Sequence, residues 1–442
     1  MKIKDYFKIQ EAGSTVSREV IGGMTSFMTA AYILFVQPAV LSSLGMDFGA
    51  VMMATAISSF LACVFMGVIA NYPIILAPAM GHNFFFAYTV CLGMGISWQV
   101  ALGANFLSGI IFLILCLFPF ARYFVDYVPQ SLKNAIAVGI GLLIALVGLQ
   151  WGGIVVAKQG TMIGLGALNK PYVILTIAGL IITSLLLAFR IRGALLLGII
   201  ISAIIGMFMG LVKYQGFVSL PPSISPTFLK LEPLSAFKTG IFMVIFVFFF
   251  LDVFDTVGTL IGVGQQAGLM KEGKLPKARK ALFSDALGTV FGTLLGTSTI
   301  TSYIESTAGV VAGARTGFSS LVAGLCFLFS IFFYPLVRMI GEGVKVGSQM
   351  FHPVTAPALI LVGSFMLKNV KFIEWDDPTE AIPAFITLII MPLTFSITEG
   401  IAFGFISYFL LKLFTKRWKE LNPLVVIFAI LFIIRYVYIY KF

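Results

Sequence analysis

The chain of 442 residues is 59% hydrophobic and 11% charged, with a mean hydropathy of +1.04 and a formal net charge of 29 − 18 = +11. Soluble domains are about a quarter charged and need a polar surface, so this composition excludes a soluble enzyme, a disordered chain and a disulfide scaffold. Apolar runs of about 17–25 residues point to an all-α integral membrane protein, not to the shorter alternation of an outer-membrane barrel.

The N-terminal segment, residues 1–19, is polar and carries Lys2, Lys4, Lys8 and Arg18. The first predicted span covers residues 20–42 and the second 49–70. The third is short and interrupted: it runs from Pro73 to Pro78, then through His82 and Asn83 into a Phe-rich stretch ending near residue 92. Spans four to seven follow at 98–119, 131–152, 171–189 and 193–212. A polar linker with Pro221, Pro222 and Pro226 then divides the chain. Spans eight and nine lie at 238–264 and 282–296, separated by a basic loop from Lys271 to Lys280. The tenth is again interrupted, with Gly-Thr-Ser-Thr-Ile-Thr-Ser at 296–302 before a helical stretch to 314. Spans eleven to fourteen are predicted at 317–340, 353–370, 381–397 and 400–414. A last apolar run, 423–440, contains Arg435, and hydropathy alone leaves open whether it spans or lies in the interface.

The basic residues test this division. With the N-terminus in the cytoplasm and fourteen alternating spans, 20 of the 29 Lys and Arg fall inside and 7 outside, leaving Arg435 and Lys441 in the tail. The positive-inside rule favours that orientation, and a missed span would scramble the bias. The net charge is thereby accounted for, and no basic stretch interleaved with aromatics suggests nucleic acid. Cys63, Cys91, Cys116 and Cys326 sit in apolar runs without ligand spacing, so no metal or cofactor is expected.

The two interrupted spans are each third in their half of the chain. Interrupted segments at matching positions of two halves mark the binding site of many secondary transporters. Non-helical backbone in a membrane is tolerated only where protein or a cavity covers it. Residues near 74–78 and 297–301 are therefore expected to be extended and to face each other.

Charges within spans are costly and need a reason. Asp252 and Asp255, three residues apart in the eighth span, share one helix face, and Glu305 lies in the tenth. Without an accompanying Lys or Arg, one or more of them is expected to hold a proton, which suits proton coupling and hydrogen bonding to a polar ligand. Asn83, just after the break of the third span, offers donors and an acceptor able to read the edge of a heterocycle, or to cap the following half-helix. Phe84, nearest the break, is the candidate to stack on a planar ligand. His82 is either a group titrating near neutrality or a satisfied structural hydrogen-bonder. No nucleophile–base pair or metal set suggests an enzyme.

The stretches around Asn83 (Ala-Pro-Ala-Met-Gly-His-Asn-Phe-Phe-Phe-Ala), Asp252 and Asp255 (Phe-Leu-Asp-Val-Phe-Asp-Thr-Val-Gly-Thr-Leu) and Glu305 (Gly-Thr-Ser-Thr-Ile-Thr-Ser-Tyr-Ile-Glu-Ser-Thr-Ala-Gly-Val) resemble the AzgA-like branch of the nucleobase–ascorbate and nucleobase–cation symporters. The resemblance runs from about Glu11 to the end. It implies transport of adenine, guanine or hypoxanthine by proton symport, across a bacterial plasma membrane. It also implies fourteen spans in two inverted seven-span repeats: a core domain at 20–119 and 237–341, a gate domain at 129–213 and 352–414, an extracytoplasmic linker at 214–236 and a C-terminal apolar segment at 415–442. Glu305, Asp252, Asp255 and Asn83 match the family's binding positions, and dimers are common in the superfamily. Two positions depart from it: His82 stands where an apolar residue is usual, and Ala79 where Gly is usual. The competing readings are a sulfate- or bicarbonate-type anion carrier of the same architecture, which the carboxylates disfavour, and a channel, which a built-in two-fold repeat disfavours.

Overall fold

A computed structural model describes residues 3–118, 128–158, 160–238, 241–270, 275–347 and 349–439. Lys2, Arg122, Lys271, Lys274 and Lys441, used above to orient the chain, lie outside them. Helices dominate: α1 (Ile3–Tyr6), α2 (Val16–Ala30), α3 (Ile33–Ser42), α4 (Phe48–Phe65), α5 (Met80–Phe84), α6 (Trp98–Leu117), α7 (Gln130–Trp151), α8 (Pro171–Ala188) and α9 (Ala194–Phe208) precede the linker. After it come α10 (Pro233–Lys238), α11 (Phe242–Gln266), α12 (Ala278–Leu295), α13 (Ser306–Val311), α14 (Gly317–Phe329), α15 (Tyr334–Gly341), α16 (Ala356–Met366), α17 (Pro378–Thr394), α18 (Ile397–Phe414) and α19 (Pro423–Ile439). Among the described residues, eight helical stretches are long and apolar enough to cross a membrane, and α9, α17 and most of α19 form three shorter apolar ones. The protein is a multi-pass membrane protein.

Among the described residues, six short strands form three antiparallel pairs. Two are hairpins, β2 (Val155–Lys158) with β3 (Met162–Leu165), and β5 (Val344–Val346) with β6 (Gln349–Phe351). The third joins the interrupted spans: β1 (Leu76–Pro78) pairs with β4 (Ile300–Ser302), in the register Leu76 to Ser302, Ala77 to Thr301 and Pro78 to Ile300. The expected extended segments therefore exist and face each other. Pro73 and Pro78 lack the amide a helix requires, and the Thr-rich stretch has poor helix propensity, so neither segment completes its helix. Gly296, at φ +101, ends α12 and lets the chain turn into β4.

Backbone groups left open here would each cost several kcal/mol in a membrane. They are closed by neighbours. The Ala79 amide donates to Thr299 O at 2.9 Å and the Tyr303 amide to Ile75 O at 2.9 Å. Side chains supply the rest: Thr289 Oγ1 donates to Ile300 O at 2.9 Å, Ser320 Oγ to Ile74 O at 2.7 Å, and Ser306 Oγ accepts from the Ile75 amide at 3.0 Å.

The chain forms two compact units, Met1–Phe118 with Gly148–Ala358, and Pro119–Val147 with Leu359–Phe442. In the first, small residues let helices cross closely: a Cβ on Gly317 would lie 2.3 Å from Gly67 O. Glu19, fully buried at the start of α2, accepts from the Arg315 and Thr316 amides at 3.0 and 3.2 Å and so caps α14 from a distant helix. In the second unit, Lys412 is buried at the end of α18 and pairs with Glu380 at 2.9 Å and Glu420 at 2.6 Å. Arg417 pairs with Asp377 at 2.5 Å. The Thr379 hydroxyl and amide, with Arg417, hold the Asp377 carboxyl below the usual carboxylate range.

The last apolar run is an antiparallel partner of α18. Phe405 meets Phe428 at 5.5 Å and Phe432 at 6.5 Å, and Phe403 meets Tyr436 at 5.6 Å. Arg435 pairs with Glu399 at 2.6 Å, and Tyr436 donates to the same carboxylate. As α19 advances, its partners step back towards the start of α18, so the two helices occupy the same depth. A pairing partner removes the objection that Arg435 raised to a spanning helix. A reporter fused after Phe442 is accordingly expected on the opposite side of the membrane from a tag in residues 415–422. The same side for both, measured by impermeant labelling in cells, would mean that α19 does not cross.

Candidate functional site

The candidate centre lies within the first unit, around β1 and β4. Each strand is followed at once by a short helix, so Asn83 in α5 and Glu305 just before α13 sit five and three residues beyond the strand ends. Both are buried. Glu305 Oε1 accepts from the Tyr32 hydroxyl at 2.9 Å. Asn83 Oδ1 accepts from the Ser298 hydroxyl, while its amide nitrogen approaches Met80 Sδ at 3.8 Å. Asn83 does not cap its helix; Ala79 holds the cap position without a side-chain bond.

The two aspartates of α11 start from one face but take different partners. Asp252 is fully buried and accepts from Thr289 Oγ1 of α12 at 3.1 Å; its other oxygen has no partner among the described residues. Asp255, half-buried, accepts from Thr301 Oγ1 of β4 at 3.2 Å. Asp285 stands one turn before Thr289 on α12 and bonds Thr256, one turn after Asp252 on α11, so the two carboxyls face each other across these helices. Asp285 is fully buried in α12 and bridges two elements: Oδ1 accepts from Ser302 of β4 at 2.8 Å and Oδ2 from Thr256 of α11 at 2.7 Å. Among the described residues, no Lys or Arg pairs with Asp252, Asp255, Asp285 or Glu305.

Phe84 is buried and stacks on Tyr88 at 5.8 Å and 20°, so one face of its ring is taken. His82 is buried, and its Nε2 has no partner among the described residues, so it is not a fully satisfied structural histidine.

Four polar residues that the sequence reading passed over join this centre. Asp285 carried the same signal as the other carboxylates, a charge in a span. Gln37, buried in the first span, donates to Thr297 at 2.8 Å and Ser298 at 3.2 Å, and its oxygen is unpartnered among the described residues. Asn105 of α6 accepts from Thr299 at 2.7 Å. Tyr32 carried no signal, since a tyrosine in an apolar run is unremarked until its hydroxyl is seen to meet a carboxylate. Three layers of side chains, from the first span, the strands and the helices α11 and α12, thus converge on one dry, hydroxyl-rich and carboxylate-rich centre.

A carboxylate-bearing centre on two interrupted, strand-paired helices defines a transporter, and the comparisons agree. The transmembrane domain of the cyanobacterial bicarbonate transporter BicA superposes with a TM-score of 0.58 at 17% identity, over 89% of this chain and 97% of that one. SLC26A9 does so with a TM-score of 0.62 at 13% identity, over 91% of this chain and 65% of that one. At such identities they establish the fold, that of transporters built from two inverted seven-span repeats. The sequence profile of the permease family matches residues 17–403. Among relatives, the Methanocaldococcus jannaschii protein MJ0326 is 49% identical over 99% of this chain and 98% of its own length. The guanine/hypoxanthine permease PbuG of Bacillus subtilis is 43% identical over 99% and 100%. The adenine permease AdeP of Escherichia coli is 42% identical over 98% and 95%. The chain belongs to the nucleobase–ascorbate permease family.

Proposed function

We propose that this protein is a secondary transporter that imports purine nucleobases (adenine, guanine or hypoxanthine) by proton symport with alternating access. The observation that carries the reading is the set of carboxyls gathered around the strand pair, unaccompanied by any Lys or Arg among the described residues, in a chain 42–43% identical to relatives named as purine permeases. Purines present N–H donors along their edges, and an ionised carboxylate is an acceptor that matches them. Glu305 is the principal substrate acceptor, Asn83 reads a second edge of the ring, and Phe84 offers its remaining face for stacking. Asp252 and Asp255, with Asp285 behind them, handle the proton. The core domain, spans one to four and eight to eleven, carries this centre past the gate domain, spans five to seven and twelve to fourteen. The protein sits as a homodimer in the bilayer of a bacterial plasma membrane with its N-terminus in the cytoplasm.

An anion carrier of the same fold is the weaker reading, because an anion would face four carboxyls and, among the described residues, no paired cation. Uptake of labelled hypoxanthine, adenine, guanine and uracil in a transport-deficient cell tests the proposal. Accumulation of one or more purines, abolished by collapsing the proton gradient, is expected. Uptake of bicarbonate or sulfate with no purine uptake would overturn it.

A further inference from the structure

We infer that Tyr32 is a positioning residue for Glu305, holding one carboxylate oxygen so that the other is presented to the ligand; this rests on the purine reading above. The local sequence explains how a first-span tyrosine reaches the tenth span. Pro38 lies inside α3 and cannot donate to the carbonyl one turn earlier, and its ring crowds that carbonyl. The helix also breaks earlier, at Ala31 and Tyr32 between α2 and α3, and tightens there, with the Leu34 amide bonding Ala31 O at 3.1 Å and the Phe35 amide bonding Tyr32 O at 3.1 Å. The break turns Tyr32 towards the strand pair. Its side chain is 1% exposed, and its ring lies 6.5 Å from that of Tyr303, whose own hydroxyl donates to Pro78 O at 2.5 Å.

Tyr32 is the only side-chain donor to Glu305 among the described residues. The Glu305 carboxyl turns on three rotatable bonds at the foot of a six-residue helix. One charge-assisted bond selects its rotamer and occupies one oxygen, leaving the second to accept from an N–H donor of the base. Binding then does not have to order the acceptor, which is the ordinary benefit of preorganisation. Tyr32 makes no claim on the ligand itself; it acts through Glu305.

The test uses the full chain in lipid nanodiscs, with equilibrium binding of labelled hypoxanthine and competition by 1-, 7- and 9-methylhypoxanthine. Tyr32→Phe keeps the ring and removes only the donor. Its expected effect is about a tenfold loss of hypoxanthine affinity, the size of one hydrogen bond to a charged group. The methylated analogue that wild type binds most weakly, having lost the N–H that Glu305 accepts, should bind the variant within about twofold of wild type. Discrimination between the two ligands therefore falls about tenfold, while the melting temperature of the unliganded protein holds. A purely structural tyrosine would weaken all ligands alike and lower the melting temperature, and that result overturns the inference. So does unchanged hypoxanthine affinity in Tyr32→Phe when Glu305→Gln has lost it. A wild type that binds no purine instead overturns the functional reading, and this inference with it.

Discussion

Glu305→Gln is expected to weaken purine binding by about 2–4 kcal/mol, the loss for a charge-assisted pair in a dry pocket. The substitution keeps the size and removes the charge. It also replaces one of two acceptor oxygens with a donor group, which opposes the ring N–H it should receive. The Tyr32 hydroxyl sharpens the conflict. It bonds Oε1 at 2.9 Å, so the amide oxygen of the variant is drawn to that side and the NH2 group turned to the ligand. Donor then faces donor. Nothing nearby compensates, since no Lys or Arg pairs with this carboxyl among the described residues. Equilibrium binding on purified protein gives the number directly, free of any effect on turnover. Wild-type affinity in Glu305→Gln would remove Glu305 from the site.

The second large effect concerns coupling. A symporter must bind proton and substrate interdependently or leak one without the other. Asp252 and Asp285 are neighbouring carboxyls, both fully buried, and Asp252 keeps one oxygen without a partner among the described residues. A single shared proton would satisfy that oxygen and relieve the repulsion, and protons on such a pair belong to the pair rather than to either member. Asp285 also bonds Ser302, whose strand leads to Glu305 three residues on. Asp252→Asn supplies a permanent donor where the shared proton would be. Binding and exchange are expected to survive within about tenfold, while accumulation against a gradient is lost. Asp255, bonded to Thr301 on the same strand, stands outside this buried pair and takes part less directly, so Asp255→Asn should have the smaller effect. The measurement compares equilibrium binding with uptake driven by a pH gradient. If Asp252→Asn and Asp255→Asn both still concentrate hypoxanthine with the wild-type pH dependence, the proton moves elsewhere, with Glu305 and His82 the next candidates.

Much of this was legible along the chain because it depends on local chemistry. Apolar runs declare helices in lipid wherever they occur. Pro73, Pro78 and the Thr-Ser-Thr run break helices whatever surrounds them, so the two interrupted spans and their extended segments could be read directly. Glu305, Asp252 and Asp255 stood out because a carboxylate in an apolar run is costly in any fold.

Other features depend on what each residue meets. Helical spacing put Asp252 and Asp255 on one face, but spacing says nothing about neighbours. Packing sends Asp252 to α12 and Asp255 to β4, and sets Asp285 across from Asp252. Tyr32 and Gln37 look like ordinary members of an apolar helix until the bend before Pro38 and the fold of the unit bring them to strands more than 250 residues away in sequence. The ambiguous last segment is the clearest case. Arg435 by itself argues against a spanning helix, and only the Glu399 carboxylate on an antiparallel neighbour neutralises it. The sequence by itself determined the class of protein, the places where its helices break and most of the costly charges, because those follow from the preference of each segment for lipid or water. Which carboxyls stand together, which hydroxyl holds Glu305 and whether the last helix is paired were decided by tertiary structure alone, because each is a property of two groups distant in sequence and adjacent only once the chain has folded.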